Sequence, residues 1–162
     1  MSKKISFCAL MSVLGILSVF AANIISTNTI FLFLLSTLFT YISTEEYGIK
    51  YGLLTYVAIT LISFFVYTNK ISVGIYAIVV GYYPVIKHIV EHFDISVALK
   101  WAVKVSMVLI VSLIVFFVFR QLVSFELPPI LIFIAGIVIF VLYDIFLTMG
   151  IKFYALKLRK FR

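Results

Sequence analysis

The sequence predicts an all-α integral membrane protein: six transmembrane helices with both termini in the cytoplasm. Two observations carry that prediction, composition and charge placement. Of the 162 residues, 65% are hydrophobic and only 12% are charged. A soluble domain of this size has no polar shell large enough to cover so much apolar surface, so the solvent is lipid. The charges then orient the chain. With both ends inside, Lys3, Lys4, Lys50, Lys87, Lys100, Lys104, Lys152, Lys157, Arg159, Lys160 and Arg162 fall on one side, and only Lys70 and Arg120 on the other. That is 11 against 2 of the 13 Lys and Arg, the asymmetry that favours the cytoplasm. The net charge of +7 reads as a basic face against anionic lipid. A nucleic-acid partner is not expected, because the basic residues sit at helix ends.

The six spans are expected at 5–25, 29–42, 51–68, 71–86, 97–119 and 129–149. A helix crosses the hydrocarbon with ~20 apolar residues, so the second and fourth take in flanking Ser, Thr, Tyr or Gly. The first span begins after Lys3-Lys4. Val19-Phe20-Ala21 also fits a signal-peptide cleavage site, but the apolar stretch runs on to Ile25, and an uncleaved helix is expected. Cys8 is the sole cysteine, so no internal disulfide forms. Ser12, Gly15, Ser18 and Ala22 make a stripe of small residues that lets helices approach closely. It is read either as packing within the bundle or as a docking face for another membrane subunit. Connections on the outer side are short, which makes neighbouring helices antiparallel. Those on the inner side, 43–50 and 87–99, are longer and carry the charge.

Pro84 is expected to kink or break the fourth helix. Beyond it, 85–94 reads as an interfacial cytoplasmic helix. Ile86, Ile89, Val90 and Phe93 form its apolar side, Lys87, His88, Glu91 and His92 its polar side, with Lys87 and Glu91 an i, i+4 pair. Asp94 is an expected N-cap for the fifth helix, and Pro128-Pro129 opens the sixth. The whole chain, 1–162, is expected to form a single bundle.

Asp144 is an ionisable residue inside the last span. It lies eight residues before Lys152, ~12 Å along a helix that rises ~1.5 Å per residue. An intramembrane charge calls for a named partner, and Lys104 or Lys100 is expected to supply it. The pair is read either as a lock between the last two helices or as a proton- or ligand-linked site. On the outer side, Asn23, Asn28, Tyr76, Arg120 and Glu126 are candidate ligand contacts, or else ordinary interfacial residues. His88-Ile89-Val90-Glu91-His92 matches the H-x-x-E-H pattern of inverted zinc peptidases. The pattern needs a third ligand. Glu126 lies on the opposite side and Asp144 within another helix, so the segment is read as a surface helix with ordinary histidines. No metal, no cofactor and no enzymatic activity are expected.

This layout resembles the substrate-binding S components of energy-coupling factor transporters and related small six-helix bacterial membrane proteins. The stretches that carry the resemblance are Lys3-Lys4-Ile5-Ser6-Phe7-Cys8-Ala9-Leu10-Met11-Ser12-Val13-Leu14-Gly15, the Glu46-Tyr47-Gly48-Ile49-Lys50-Tyr51-Gly52 turn, the Gly81-Tyr82-Tyr83-Pro84 run on to Glu91, and Tyr143-Asp144. The resemblance implies a small-molecule-binding transporter subunit, capturing its ligand at the outer face and docking through the first helix to membrane and ATPase subunits. The alternative is a non-catalytic membrane scaffold or assembly protein of the cell envelope, binding through its basic cytoplasmic face.

Overall fold

A computed structural model describes residues 2–93, 96–120 and 129–158, and among them every regular element is helical. The elements are α1 (Ser2–Ile24), a 3₁₀ turn (Ser26–Asn28), α2 (Thr29–Tyr47), α3 (Ile49–Val66), α4 (Lys70–Ile75), a π-helical stretch (Tyr76–Gly81), α5 (Tyr83–His92), α6 (Val97–Arg120) and α7 (Pro129–Phe153), which ends in a second π-helical stretch (Tyr154–Leu158). With the run from Lys70 to His92 taken as one interrupted rod, these are six helical rods. Among the described residues, four runs are long and apolar enough to cross a membrane: Lys3–Ile24, Ile49–Val66, Lys70–His92 and Gly136–Leu156.

Local chemistry sets the breaks. α2 runs five residues past the expected end at 42, so the expected 43–50 connection shrinks to Gly48. Ser43 and Thr44 keep the helix going by donating their hydroxyls to the carbonyls of Phe39 and Thr40, at 3.0 and 2.8 Å. Gly48 stops it at φ +89°, ψ 176°, a conformation open essentially to glycine alone. At the far end, the Asn69 side chain caps α4 by accepting from the Ile71 and Ser72 N–H groups. Lys70 donates to the terminal carbonyls of Phe64, Phe65 and Tyr67, closing α3. Pro84 sits in the first turn of α5, where it needs no N–H bond. The interruption falls just before it, and the π-helical turn releases the Ala77 carbonyl to accept from Tyr56 Oη at 3.1 Å.

Two compact units can be described. One comprises the residues up to His92 together with those from Leu147 onward; the other is Phe93–Phe146. In the first unit, α2 packs against α1, α3, α5 and the π-helical turn. Its buried face is rich in hydroxyls: Ser36, Thr37, Thr40, Ser43 and Thr44. One core cluster joins Val19, Ala22, Phe33, Ile59, Tyr67, Val73 and Tyr76. A second joins Met11, Ile42 and Tyr154. Large side chains point outward instead, among them Leu10, Val13, Leu17, Leu54, Leu61 and Phe65. The second unit comprises α6 and the first part of α7.

Candidate functional site at the lysine-rich end of the bundle

The N-terminus of α1, the α2–α3 break and the end of α5 gather at one end of the first unit. Phe7 meets Tyr47 edge-on at 5.4 Å, and Lys4 lies over the rings of Tyr47 and Tyr51 at 5.7 and 5.8 Å. Because α2 stays helical to Tyr47, Tyr41 and Glu45 stand one turn apart on it, beside α5.

The buried side of α5 differs from the expected one. Tyr83, Pro84, Val85, Lys87 and Val90 are buried, while Phe93 is exposed. Lys87 therefore lies within the unit, fully buried, instead of on a solvated side. The reason is its set of partners. Its ammonium is 3.1 Å from Glu91 Oε1 and donates to Thr148 Oγ1 of α7 at 2.8 Å. The other Glu91 oxygen accepts from Tyr41 Oη at 2.9 Å, and Lys87 stands 6.0 Å from the Tyr41 ring centre. A buried ammonium is tolerated only when a counter-charge and hydrogen bonds replace its water. Three helices supply them here.

Beside this network lies the second part of the site. Glu45, His88 and His92 each bring one ligand-type atom to within 4.8 Å of the other two. His88 Nδ1 is 3.2 Å from Glu45 Oε1. That contact has ion-pair distance but not hydrogen-bond alignment, so Nδ1 is a buried nitrogen with no hydrogen-bond partner among the described residues. The rings of His88 and His92 stack at 4.1 Å, and His92 Nδ1 is 2.9 Å from the His88 carbonyl. The sequence had offered Glu126 and Asp144 as third acidic groups; the one that joins the histidines is Glu45. Glu126 lies outside the described residues, as does Asp94. Glu45, Tyr41 and Thr148 were missed from sequence. The available signal was the absence of any helix breaker between Thr29 and Gly48, which keeps Tyr41 and Glu45 on one helical face.

In the second unit, Lys104 and Asp144 are both buried. The ammonium lies 3.2 Å from each carboxylate oxygen and 5.4 Å from the Trp101 ring. Lys100 is one turn earlier on α6 and half-buried.

The other residues singled out from sequence are placed differently. Ser12, Ser18 and Ala22 are buried, and a side chain added at Gly15 would run into Ile59 and Ser36. The stripe is thus spent on close packing of α1 with α2 and α3, and does not form a free docking face. The small residues are what bring the helices together. Among the outer-face residues, Tyr76 is fully buried, with its hydroxyl 3.0 Å from Ser36 Oγ and its ring 5.2 Å from Phe33. It is a core residue, because a large ring with one polar tip gains most from apolar packing and one hydrogen bond. Asn23 accepts from the Thr68 N–H at 3.3 Å. Asn28 lines an open hollow of about 410 Å³ with Thr27, Thr29, Ile30, Phe31 and Leu34. The Arg120 side chain lies outside the described residues. Compared with protein-family models, with curated proteins and with solved structures, the chain matches none.

Proposed function

We propose that this chain is a non-catalytic multi-pass membrane protein, a scaffold or assembly subunit, that works through its lysine-rich, cytoplasmic end. The observation that carries the reading is convergence. The polar residues that come together into a built site, Tyr41, Glu45, Lys87, His88, Glu91, His92 and Thr148, are at that end. Lys3 and Lys4 at the start of α1 and Lys50 at the start of α3 are exposed, suited to anionic lipid or an acidic partner. One feature favours a non-catalytic role, and another a membrane setting. Glu91, the residue a hydrolytic reading needs as base, is engaged by Tyr41 and Lys87. The outward-facing Leu, Val and Phe side chains of α1 and α3 suit contact with acyl chains.

The transporter-subunit reading keeps one supporting observation, the hollow around Asn28 on the expected outer side. Mild-detergent copurification from the native membrane, followed by mass spectrometry, separates the two. A scaffold brings down envelope-assembly proteins in stoichiometric amount, cross-linkable from Lys50. Recovery of an ATPase pair with a second membrane subunit would replace this reading with the transporter one.

A further inference from the structure

We infer that Glu45, His88 and His92 form a site for a divalent transition metal ion of the zinc type, linking α2 to α5. Two imidazoles one helical turn apart and one carboxylate from a neighbouring helix are a borderline-soft N,N,O donor set. It suits zinc and its first-row neighbours and leaves a fourth position for water.

The geometry is close to what such an ion needs. Ligand atoms around a tetrahedral zinc ion stand ~3.4 Å apart when the bonds are ~2.1 Å. Glu45 and His88 already meet at 3.2 Å, and all three atoms lie within 4.8 Å. Side-chain rotation supplies the remaining closure. The buried His88 Nδ1 faces a carboxylate without an aligned hydrogen bond; a cation between the two would satisfy both. At 2.9 Å, His92 Nδ1 donates to the His88 carbonyl in the tautomer that leaves the lone pair on Nε2. A backbone carbonyl holding one ring nitrogen is the usual support for a ligating histidine. The ion has a way in, since Glu45 is partly exposed and His92 exposed.

Glu91 completes the H-x-x-E-H pattern but faces Tyr41 and Lys87, so the ion braces two helices and does not drive hydrolysis. The inference rests on α2 and α5 alone and does not depend on which partner docks at this end.

The test uses the full chain in detergent, purified without a histidine tag and stripped with chelator. Cobalt(II) is titrated as a spectroscopic probe, then displaced by zinc(II). Expected is one ion per chain, with visible absorption of a four- or five-coordinate site carrying nitrogen ligands. His92→Ala, at an exposed position that does not threaten folding, and Glu45→Gln each weaken binding at least about tenfold, a difference of ~1.4 kcal/mol. Glu46→Gln, one residue along, leaves affinity unchanged. Zinc(II) also raises the unfolding temperature of the parent chain but not of His92→Ala, as expected for an ion bound only by the folded state. The inference is overturned if the parent chain binds neither ion, or if His92→Ala and Glu45→Gln both bind as tightly as the parent.

Discussion

Lys104 and Asp144 are a buried ion pair, and a buried pair is destabilised far more by losing one member than by losing both. Asp144→Asn is therefore expected to lower stability by about 3–5 kcal/mol, as measured by unfolding in detergent. Lys104→Met combined with Asp144→Leu recovers most of that loss. A double-variant loss equal to the sum of the losses of Lys104→Met and Asp144→Leu measured singly would show that the pair is not coupled. Lys87 is held by a different device, because its counter-ion Glu91 reaches partly into solvent while the ammonium is fully buried. Tyr41→Phe removes one hydrogen bond to that carboxylate and is expected to cost about 1.5–3 kcal/mol. The same loss in a Glu91→Ala background would mean that the hydroxyl acts elsewhere. Asp144 was legible in the sequence because a charge in an apolar run stands out. Lys87 was not, because an i, i+4 pair with Glu91 looks the same on a solvated helix as on a buried one.

At the scale of elements, two glycines do what no other residue can. Gly48 separates α2 from α3 at φ +89°, and Gly48→Ala is expected to cost about 1–3 kcal/mol by forcing a side chain into that conformation. Gly15 lets α1 close on α3, so Gly15→Leu is expected to be at least as damaging, about 1–3 kcal/mol or more, through collision with Ile59 and Ser36. A Gly15→Leu protein that unfolds at the parent temperature would show that α1 packs otherwise. The small-residue stripe was visible in sequence, but its partner was not: spacing reveals that a face is narrow and never which helix it meets. The end of α2 was misjudged for a related reason. Ser43, Thr44, Glu45 and Glu46 read as a polar loop, yet the two hydroxyls bond back to their own helix. The helical extension they permit is what carries Glu45 to the histidines.

Across the whole molecule, the placement of Lys and Arg predicts an orientation that can be tested. In a Cys8→Ser background, Lys70→Cys is expected to react with a membrane-impermeant maleimide in intact cells, and Lys50→Cys only after the membrane is opened. The reverse pattern would invert the topology and place the Glu45–His88–His92 cluster outside.

The sequence by itself determined the helical class, four of the six expected membrane-length runs among the described residues, the break before Pro84 and the presence of Asp144 within an apolar run. Each of these depends on residues adjacent in the chain, where hydropathy and backbone chemistry act directly. The tertiary structure decided which faces are buried: that the α1 stripe packs inward, that Tyr76 is core, that Lys87 is enclosed, and that Glu45 stands beside His88 and His92. Those outcomes depend on which helices become neighbours. In a chain that is apolar on nearly every face, hydropathy cannot distinguish a side turned to lipid from a side turned to protein, and only packing between distant segments makes the choice.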